Sequence, residues 1–263
     1  MFIIFLILGL IIGSFLNVVV YRINLAETLL GRSHCPKCQK TIRWYDNVPV
    51  LSFVLLKFRC RDCGEKISWL YPVVELLTGI VFALLGAKFF VLTDSATWLI
   101  TSYYLISAAA LIVILVYDFL YLEIPGIVLW LGVGFAVFCN LVLDGQGTQV
   151  LGNLSDSATY SGTLAAMVAF IFFFLLSFLS KEKLLGMGDA YLVIFLGLIL
   201  GWPKILLGLF LAFAIGAIYG IILIALKKKK LKSQVPFAPF LAIGTIIAML
   251  YGTAIIAWYL KFF

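Results

Sequence analysis

The sequence predicts an all-α polytopic membrane protein with about eight transmembrane helices and one soluble loop. Of its 263 residues, 64% are hydrophobic and only 12% are charged, and the mean hydropathy is +1.17. Soluble domains are about half apolar and about a quarter charged, so a soluble core of this length could not hide so much apolar surface from water. The apolar runs are continuous rather than alternating, which favours helices over the strands of a membrane barrel.

Eight apolar runs account for the predicted spans. They are residues 2–20, 72–92, 97–117, 125–143, 160–179, 190–201, 204–226 and 237–260. The sixth is short and is closed by Gly201-Trp202-Pro203. The first has no basic leader segment and no small-residue cleavage site, so it is predicted to be a permanent helix. The predicted organisation is a transmembrane helix at 1–20, a soluble loop domain at 21–71 and a seven-helix membrane domain at 72–263.

The basic residues are divided unequally between the loops. Nine of the 19 lie in 21–70, two in 181–189 and five in 227–236, all on one side of an eight-span topology. Cytosolic loops carry such an excess, so the soluble loop is predicted to be cytosolic, with both termini outside. The run 227–230 is then expected to lie against the anionic headgroups of the lipid bilayer. The net charge of +7 is largely this topology signal and requires no nucleic-acid partner.

The soluble loop contains two Cys-x-x-Cys pairs with 21 residues between them. The four residues are Cys35, Cys38, Cys60 and Cys63. This spacing is typical of a structural zinc site with four thiolate ligands. The alternative, a pair of disulfides, is disfavoured because disulfides rarely persist in the cytosol. The metal would supply folding energy that so small a loop lacks.

The fifth cysteine and the single histidine are given no ligand role. Cys139 falls within the fourth span and is predicted to be a core residue. His34 flanks the first cysteine pair, where four thiolates already complete a tetrahedral site. A single histidine also excludes a Ser-His-Asp hydrolase and a catalytic metal held by several histidines.

Three acidic residues fall at the predicted cytosolic ends of apolar spans: Glu75, Asp118 and Asp189. Ionisable groups there are functional candidates because burying them is costly. Asp118 and Asp189 could act together, since two close carboxylates repel and one keeps its proton. Such a pair supplies a general acid and a general base for water attack on an amide. Gly186 and Gly188, in the motif GMGD, would let a substrate or a facing helix approach closely.

Plainer interpretations stand beside this one. Asp189 could be a helix N-cap, and Asp118 an interfacial residue that reaches lipid headgroups. The acids of the predicted outside loops are expected to be ordinary solvated residues. They are Asp94, Asp144 and Asp156.

Many segments, in order along nearly the whole chain, resemble one family, the bacterial prepilin peptidases. They are GSFLNVVVYR at 13–22, the two cysteine pairs, WYDNVPVLS at 44–52, IS at 67–68, YPVVE at 71–75, Asp118 with IP at 124–125, GMGD at 186–189 and VPFAPFLAIG at 235–244. The sequence departs from the family pattern at Gly126, where aspartate is frequent, and at Tyr191, where lysine is frequent. These changes are expected to alter substrate preference or local charge rather than cleavage.

The resemblance implies an eight-helix aspartic endopeptidase of the GxGD type in the bacterial inner membrane, with Asp118 and Asp189 as catalytic residues. It implies removal of the short basic leader of type IV prepilins and pseudopilins at the cytosolic face. It also implies zinc on the four cysteines, and N-methylation of the new N-terminus with S-adenosylmethionine. No Rossmann-type glycine fingerprint is visible, so the residues give methylation no independent support. The methyl-donor or substrate site is sought at Glu75, Asn17 and Arg22.

Three other classes compete with this interpretation. An intramembrane protease of the presenilin or signal-peptide-peptidase type shares Tyr117-Asp118 and GxGD, but the cysteine loop and the missing Pro-Ala-Leu motif oppose it. A proton-coupled transporter would carry its acids near the bilayer midplane and show an internal repeat. A zinc-stapled assembly protein would have no chemistry at these acids.

Overall fold

The computed structural model describes residues 1–92, 95–145, 157–182, 185–226 and 236–262. Most of these residues are helical, and no named β-strand occurs among them. The basic run 227–230, Lys183 and Lys232 lie outside the described residues, as do Asp94 and Asp156. Their predicted roles stay predictions.

Nine α-helices and one 3₁₀ turn make up the described part of the chain. They are α1 (Phe2–Asn24), the turn Trp44–Asn47, α2 (Leu51–Leu55), α3 (Leu70–Phe89), α4 (Ser95–Tyr121), α5 (Gly126–Gly145), α6 (Ala158–Ser180), α7 (Met187–Leu200), α8 (Lys204–Ala225) and α9 (Ala238–Leu260). Each predicted span falls on one apolar helix, and within the described residues seven are long enough to cross a membrane. The remaining predicted span, the sixth along the chain, is α7, which has 14 residues and is about 21 Å long. The predicted fold class is confirmed.

The chain divides into two compact units, Met1–Phe90 and Val91–Phe263. In the first unit α1 and α3 run antiparallel and in close contact. A Cβ on Gly9 would lie 2.7 Å from the Thr78 carbonyl oxygen, and one on Gly13 would lie 2.8 Å from the Cα of Glu75. The missing side chains therefore let the two backbones approach closely, as small residues do between membrane helices.

The loop between α1 and α3 is built from two similar turns around the cysteine pairs. The amide of Cys35 donates to the Lys40 carbonyl, and the amide of Cys60 donates in the same way to the Glu65 carbonyl. Beside these turns, the rings of Phe53, Phe58 and Trp69 pack with centroids 4.9–5.2 Å apart. Of these three rings only Phe53 is buried, and Phe58 and Trp69 cover it while staying exposed themselves.

In the second unit α7 lies at the centre, against α5, α6, α8 and α9. From Leu192 onward all its side chains but one, that of Ile194, are buried, including Phe195 and Ile199. A helix that is apolar all round belongs in such a core. A Cβ on Gly197 would overlap the backbone of Ala166 in α6, so these two helices also meet backbone to backbone.

Polar side chains satisfy the C-terminal end of α7. The Tyr103 hydroxyl and the Asn140 amide both donate to the Leu198 carbonyl, at 3.1 and 3.0 Å. Ser161 accepts from the Trp202 amide at 2.9 Å. Helix ends leave carbonyl groups unpaired, and in lipid these need partners inside the protein. Side chains of α4, α5 and α6 therefore supply hydrogen bonds at and just beyond the C-terminal end of α7.

Asp144 differs from its expected role as an ordinary solvated acid. Its carboxylate accepts the Ser157 hydroxyl at 2.7 Å and the amides of Ala158 and Thr159 at the start of α6. The first amides of a helix have no intrahelical acceptor, and a carboxylate there is favoured by the helix dipole. The prediction for Asp144 was wrong because its partners lie 13 to 15 residues further along the chain, where spacing gives no signal.

Candidate active site

Asp118 lies near the end of α4, and only 6% of its surface is exposed. The backbone N–H of Ala238, at the start of α9, donates to its carboxylate. Its Oδ2 atom has no hydrogen-bond partner among the described residues. The carboxylate is therefore held at a helix N-terminus and keeps acceptor capacity for a further donor. Burial argues against a side chain that reaches out to headgroups.

Asp189 is the third residue of α7, which begins at Met187. The N-cap position belongs to Gly186, so Asp189 is not the N-cap that one sequence interpretation allowed. Its carboxylate instead accepts the backbone N–H of Gly186, as the third-position acid of a capping box does. This places a second carboxylate at a helix N-terminus.

The structure brings Asp118 and Asp189 together within the second unit. Their carboxylates lie close enough for the charge of one to act on the other. Both are half-buried or buried in an otherwise apolar helical core. Two carboxylates that influence each other in this way can share one proton. Its catalytic role stays a prediction.

The two glycines of the motif do not face a neighbouring helix backbone. A Cβ on Gly188 would meet the side chain of Ile124 at 3.3 Å, and one on Gly186 would meet only groups of its own turn, the nearest being Oδ2 of Asp189 at 3.8 Å. Among the described residues, neither glycine therefore brings the backbone of a facing helix close. Their part in admitting a substrate stays a prediction.

Two residues near the motif add to the sequence interpretation. Ser177, fully buried in α6, donates to the Leu185 carbonyl at 3.1 Å and so anchors the segment that precedes the motif. A lone serine in an apolar helix gives no sequence signal for this role. Tyr191, one of the departures from the family pattern, stacks its ring beside Phe170 and near Trp130, so an aromatic contact stands where a charge is frequent.

The four loop cysteines form one cluster. Their sulfur atoms all lie within 4.8 Å of one another, and the Sγ atoms of Cys35 and Cys63 are 3.9 Å apart. Zinc–sulfur bonds of about 2.3 Å in a tetrahedron place the sulfurs about 3.8 Å apart, so the cluster fits a single ion. All five cysteines of the chain are free thiols rather than disulfides. His34 packs its ring near Tyr21 instead.

The close approach of the four thiols changes the pKa of one of them. The Glu65 amide lowers the pKa of the Cys63 thiol, but desolvation and the neighbouring thiols outweigh it and raise the pKa to about 12. A thiolate there needs a cation beside it. Arg61, inside the second cysteine pair, binds Asp46 through two hydrogen bonds of 2.8 and 2.6 Å and lowers the pKa of that carboxyl.

A cavity of about 450 Å³ lies within the first unit. Its lining includes Glu75, Asn17, Arg22, Cys35 and Cys60. All three residues that the sequence assigned to a methyl-donor or substrate site therefore border one space beside the cysteine cluster. The predicted convergence of Glu75 with the two aspartates stays a prediction.

These three residues differ in how much bonding capacity they have left. Glu75 is 8% exposed and accepts the Val50 amide at 2.7 Å. Asn17 donates to the Tyr71 carbonyl at 3.1 Å. Arg22 is 4% exposed, and its guanidinium donates to four backbone carbonyls in 28–32. Arg22 thus fixes the loop and has little left for a ligand.

Comparison with known proteins agrees with this arrangement. Residues 7–89 match the Bacterial Peptidase A24 N-terminal domain, and residues 105–221, which contain both aspartates, match the Type IV leader peptidase family. A Bacillus subtilis (strain 168) protein named prepilin leader peptidase/N-methyltransferase is 32% identical over 97% of this chain and 96% of its own length. The chain belongs to the type IV leader peptidase family. The predicted resemblance is confirmed.

Further members of the type IV leader peptidase family are similar to the chain. A Myxococcus xanthus protein with the same name is 34% identical over 83% of this chain and 62% of its own length. An Escherichia coli protein named type 4 prepilin-like proteins leader peptide-processing enzyme is 35% identical over 90% of this chain and 89% of its own length. The presenilin-like and transporter interpretations are not favoured by these matches. No solved structure matches the chain.

Proposed function

We propose that this protein is a membrane-embedded aspartic endopeptidase that removes the short basic leader of type IV prepilins or pseudopilins and methylates the new N-terminus. The observation that carries the proposal is the pairing of Asp118 and Asp189, each at a helix N-terminus, inside the region that matches the family. The names of the relatives supply the substrate class and the second activity.

The mechanism follows from two carboxylates that share one proton. The ionised carboxylate takes a proton from a water molecule, which attacks the scissile carbonyl carbon. The protonated carboxyl donates to the carbonyl oxygen, and the amine leaves with a proton when the tetrahedral intermediate collapses. The Oδ2 of Asp118, which has no partner among the described residues, can accept a hydrogen bond from the water.

The test is cleavage of a prepilin by single variants of the full chain. Asp118→Asn and Asp189→Asn should each abolish cleavage, because each removes half of the acid–base pair. The matched control is Asp144→Asn, which changes a carboxylate of the same unit outside the pair and should retain cleavage. Substantial cleavage by either dyad variant would refute the assignment. The cleavage rate of the unaltered protein should depend on pH with a bell-shaped profile. The two apparent pKa values of that profile should belong to the pair rather than to either residue.

The cysteine cluster is assigned to one structural zinc ion. Cys35, Cys38, Cys60 and Cys63 supply all four ligands, so no position is open for a substrate. Purified protein should contain about one zinc per chain, and a chelator should unfold the loop and expose the thiols to labelling. Metal-free protein with a folded loop and four reactive thiols would contradict this assignment.

The methyl donor, S-adenosylmethionine, is assigned to the cavity of the first unit. A volume of about 450 Å³ suits a small-molecule site, and Glu75 and Asn17 offer polar contacts within it. Incubation with a prepilin and labelled donor, followed by mass analysis of the product N-terminus, tests cleavage and methylation together. A product that is cleaved but not methylated would contradict the proposed methylation and leave the cleavage in place.

The working environment is the bacterial inner membrane. Seven or more apolar helices and the family support a multi-pass protein there. We place the cysteine loop and the dyad at the cytosolic face and both termini outside, on the strength of the basic residues. The division into a first helix, a zinc loop and a seven-helix domain belongs to the same proposal. Prepilins and lipid are the proposed partners.

A further inference from the structure

We infer that Glu75 is the group that binds the new N-terminal ammonium of the cleaved pilin and accepts its proton before methyl transfer. This inference rests on the proposed function and gives one residue of the cavity a chemical task.

The first observation is a buried carboxylate with no cation beside it. Glu75 is the single acid in α3 and is 8% exposed. Among the described residues, neither ion pair involves Glu75. The other acids around the cavity differ: Asp46 and Asp62 are paired with Arg61 and Lys40, and Glu65 is exposed to solvent. Burying an unpaired carboxylate is costly, so this site favours a cationic ligand.

The second observation is how the carboxylate is held. Its Oε2 accepts the Val50 amide at 2.7 Å, and the Ser14 hydroxyl also donates to it. Val50 has φ of 60° and ψ of −47°, a positive-φ conformation that a β-branched residue rarely adopts. Strain of this kind persists where the surroundings enforce it and is concentrated at functional sites. The two donors fix the carboxylate and leave lone pairs for a third.

The third observation is the position of Glu75 on the cavity wall, together with Asn17. Arg22 borders the same space, but its donors are taken by backbone carbonyls. The cavity is also bordered by Lys37, Lys40, Arg43, Arg61 and Lys66, none of which forms an ion pair with Glu75 among the described residues. An incoming ammonium can therefore take the acceptor capacity that Glu75 has left. The volume of about 450 Å³ lies in the range of small-molecule sites.

The step is balanced as follows. The N-terminal ammonium transfers one proton to the Glu75 carboxylate and becomes a neutral amine with a lone pair. That lone pair attacks the methyl carbon of the sulfonium donor, forming the C–N bond while the C–S bond breaks and its electrons stay on sulfur. The product is a secondary ammonium and a thioether, and Glu75 releases its proton to solvent.

The first experiment measures binding without the methyl donor. A peptide with the sequence that follows the cleavage site of a prepilin is titrated into the full-length protein in detergent, with a free or an acetylated N-terminus. A charge-assisted hydrogen bond predicts a preference of about tenfold or more for the free amine. Glu75→Gln, which can still accept from Val50, should lose that preference. Glu27→Gln, at an exposed acid in the loop between α1 and α3, should keep it. An unchanged preference in Glu75→Gln would overturn the inference.

The second experiment measures methyl transfer to the same peptide, which needs no cleavage. Loss of a general base should lower kcat by about 100-fold or more in Glu75→Gln, with little change in KM for the donor. A wild-type kcat, or a rise in donor KM alone, would overturn the proton-acceptor role. If the unaltered protein transfers no methyl group, the proposed methylation fails instead, and the binding experiment still decides whether Glu75 recognises the amine.

Discussion

At the scale of single residues, Arg61 joins two parts of the cysteine loop. It lies between the second pair of cysteines, and its guanidinium binds both oxygens of Asp46 in the turn Trp44–Asn47. Its charge also lies 5.6 Å from the centre of the Tyr45 ring. A fork of two parallel bonds gives geometric specificity as well as energy. The pair therefore fixes the turn relative to the cluster.

This pair gives a prediction for Asp46→Asn. Arg61 holds the pKa of Asp46 below its ordinary 3.8, so the carboxylate stabilises the fold above the unfolded pKa, and that contribution is lost as pH falls through the lower folded pKa. The variant should unfold at a lower temperature at neutral pH, and its difference from the unaltered protein should shrink below about pH 4.

Thermal unfolding of the cysteine loop across pH checks this prediction. Glu27→Gln, at an exposed acid of the same loop, should show no such difference at either end of the range. An Asp46→Asn difference that stays constant or grows on acidification would mean that the charge of Asp46 is not what stabilises the turn.

Residue-scale predictions from sequence succeeded where the signal was spacing and failed where it depended on the path of a loop. The cysteine pairs met in one cluster because two intervening residues let both thiols of a pair reach one ion. No spacing in the sequence indicated the hydrogen bond from Val50 to Glu75 or the four carbonyls that Arg22 binds. Each depends on where residues 25–69 turn, and spacing does not fix that.

At the scale of helices, hydropathy located every apolar helix but not every end. The sixth span was predicted at 190–201, whereas α7 begins at Met187. A hydropathy criterion leaves a polar first turn out of the predicted span. A helix N-terminus nevertheless favours polar residues, because its free amides need acceptors. Asp189 therefore lies inside the helix rather than before it, and its carboxylate gains a fixed direction from the helix.

Packing between α6 and α7 predicts a position that does not tolerate a methyl group. In Gly197→Ala the new Cβ would overlap the backbone of Ala166, and overpacking of this kind costs about 1–3 kcal/mol. Because α7 carries Asp189, a shift of about 1 Å should also slow cleavage by about 100-fold. Thermal unfolding and the cleavage rate measure the two effects.

The matched control is Gly134→Ala in α5. Gly134 is exposed, and nothing lies within 4 Å of its Cβ position. Alanine is favoured over glycine in a helix by about 1 kcal/mol, so this variant should be as stable as the unaltered protein or more so. Equal behaviour of the two variants would show that the α6–α7 contact is not tight.

At the scale of the whole molecule, α7 decides the topology. Its length of about 21 Å is less than the roughly 30 Å of a bilayer core. Tyr103, Asn140 and Ser161 bond the groups at and beyond its C-terminal end, so the segment that follows it needs no water. A short helix can then complete a crossing inside the protein, as the eight-span topology predicted from the basic residues requires. That topology stays a prediction.

An epitope tag inserted in the full chain after Glu182 or after Leu226 tests this topology. If α7 and α8 both cross, the two tags lie on the same cytosolic side, next to the basic loops, and neither is reached by antibody in intact spheroplasts. A tag after Phe263 should be reached from outside. Tags at 182 and 226 on opposite sides would mean that α7 does not cross. The five basic residues at 227–236 would then face outward, against the charge rule that orients the chain.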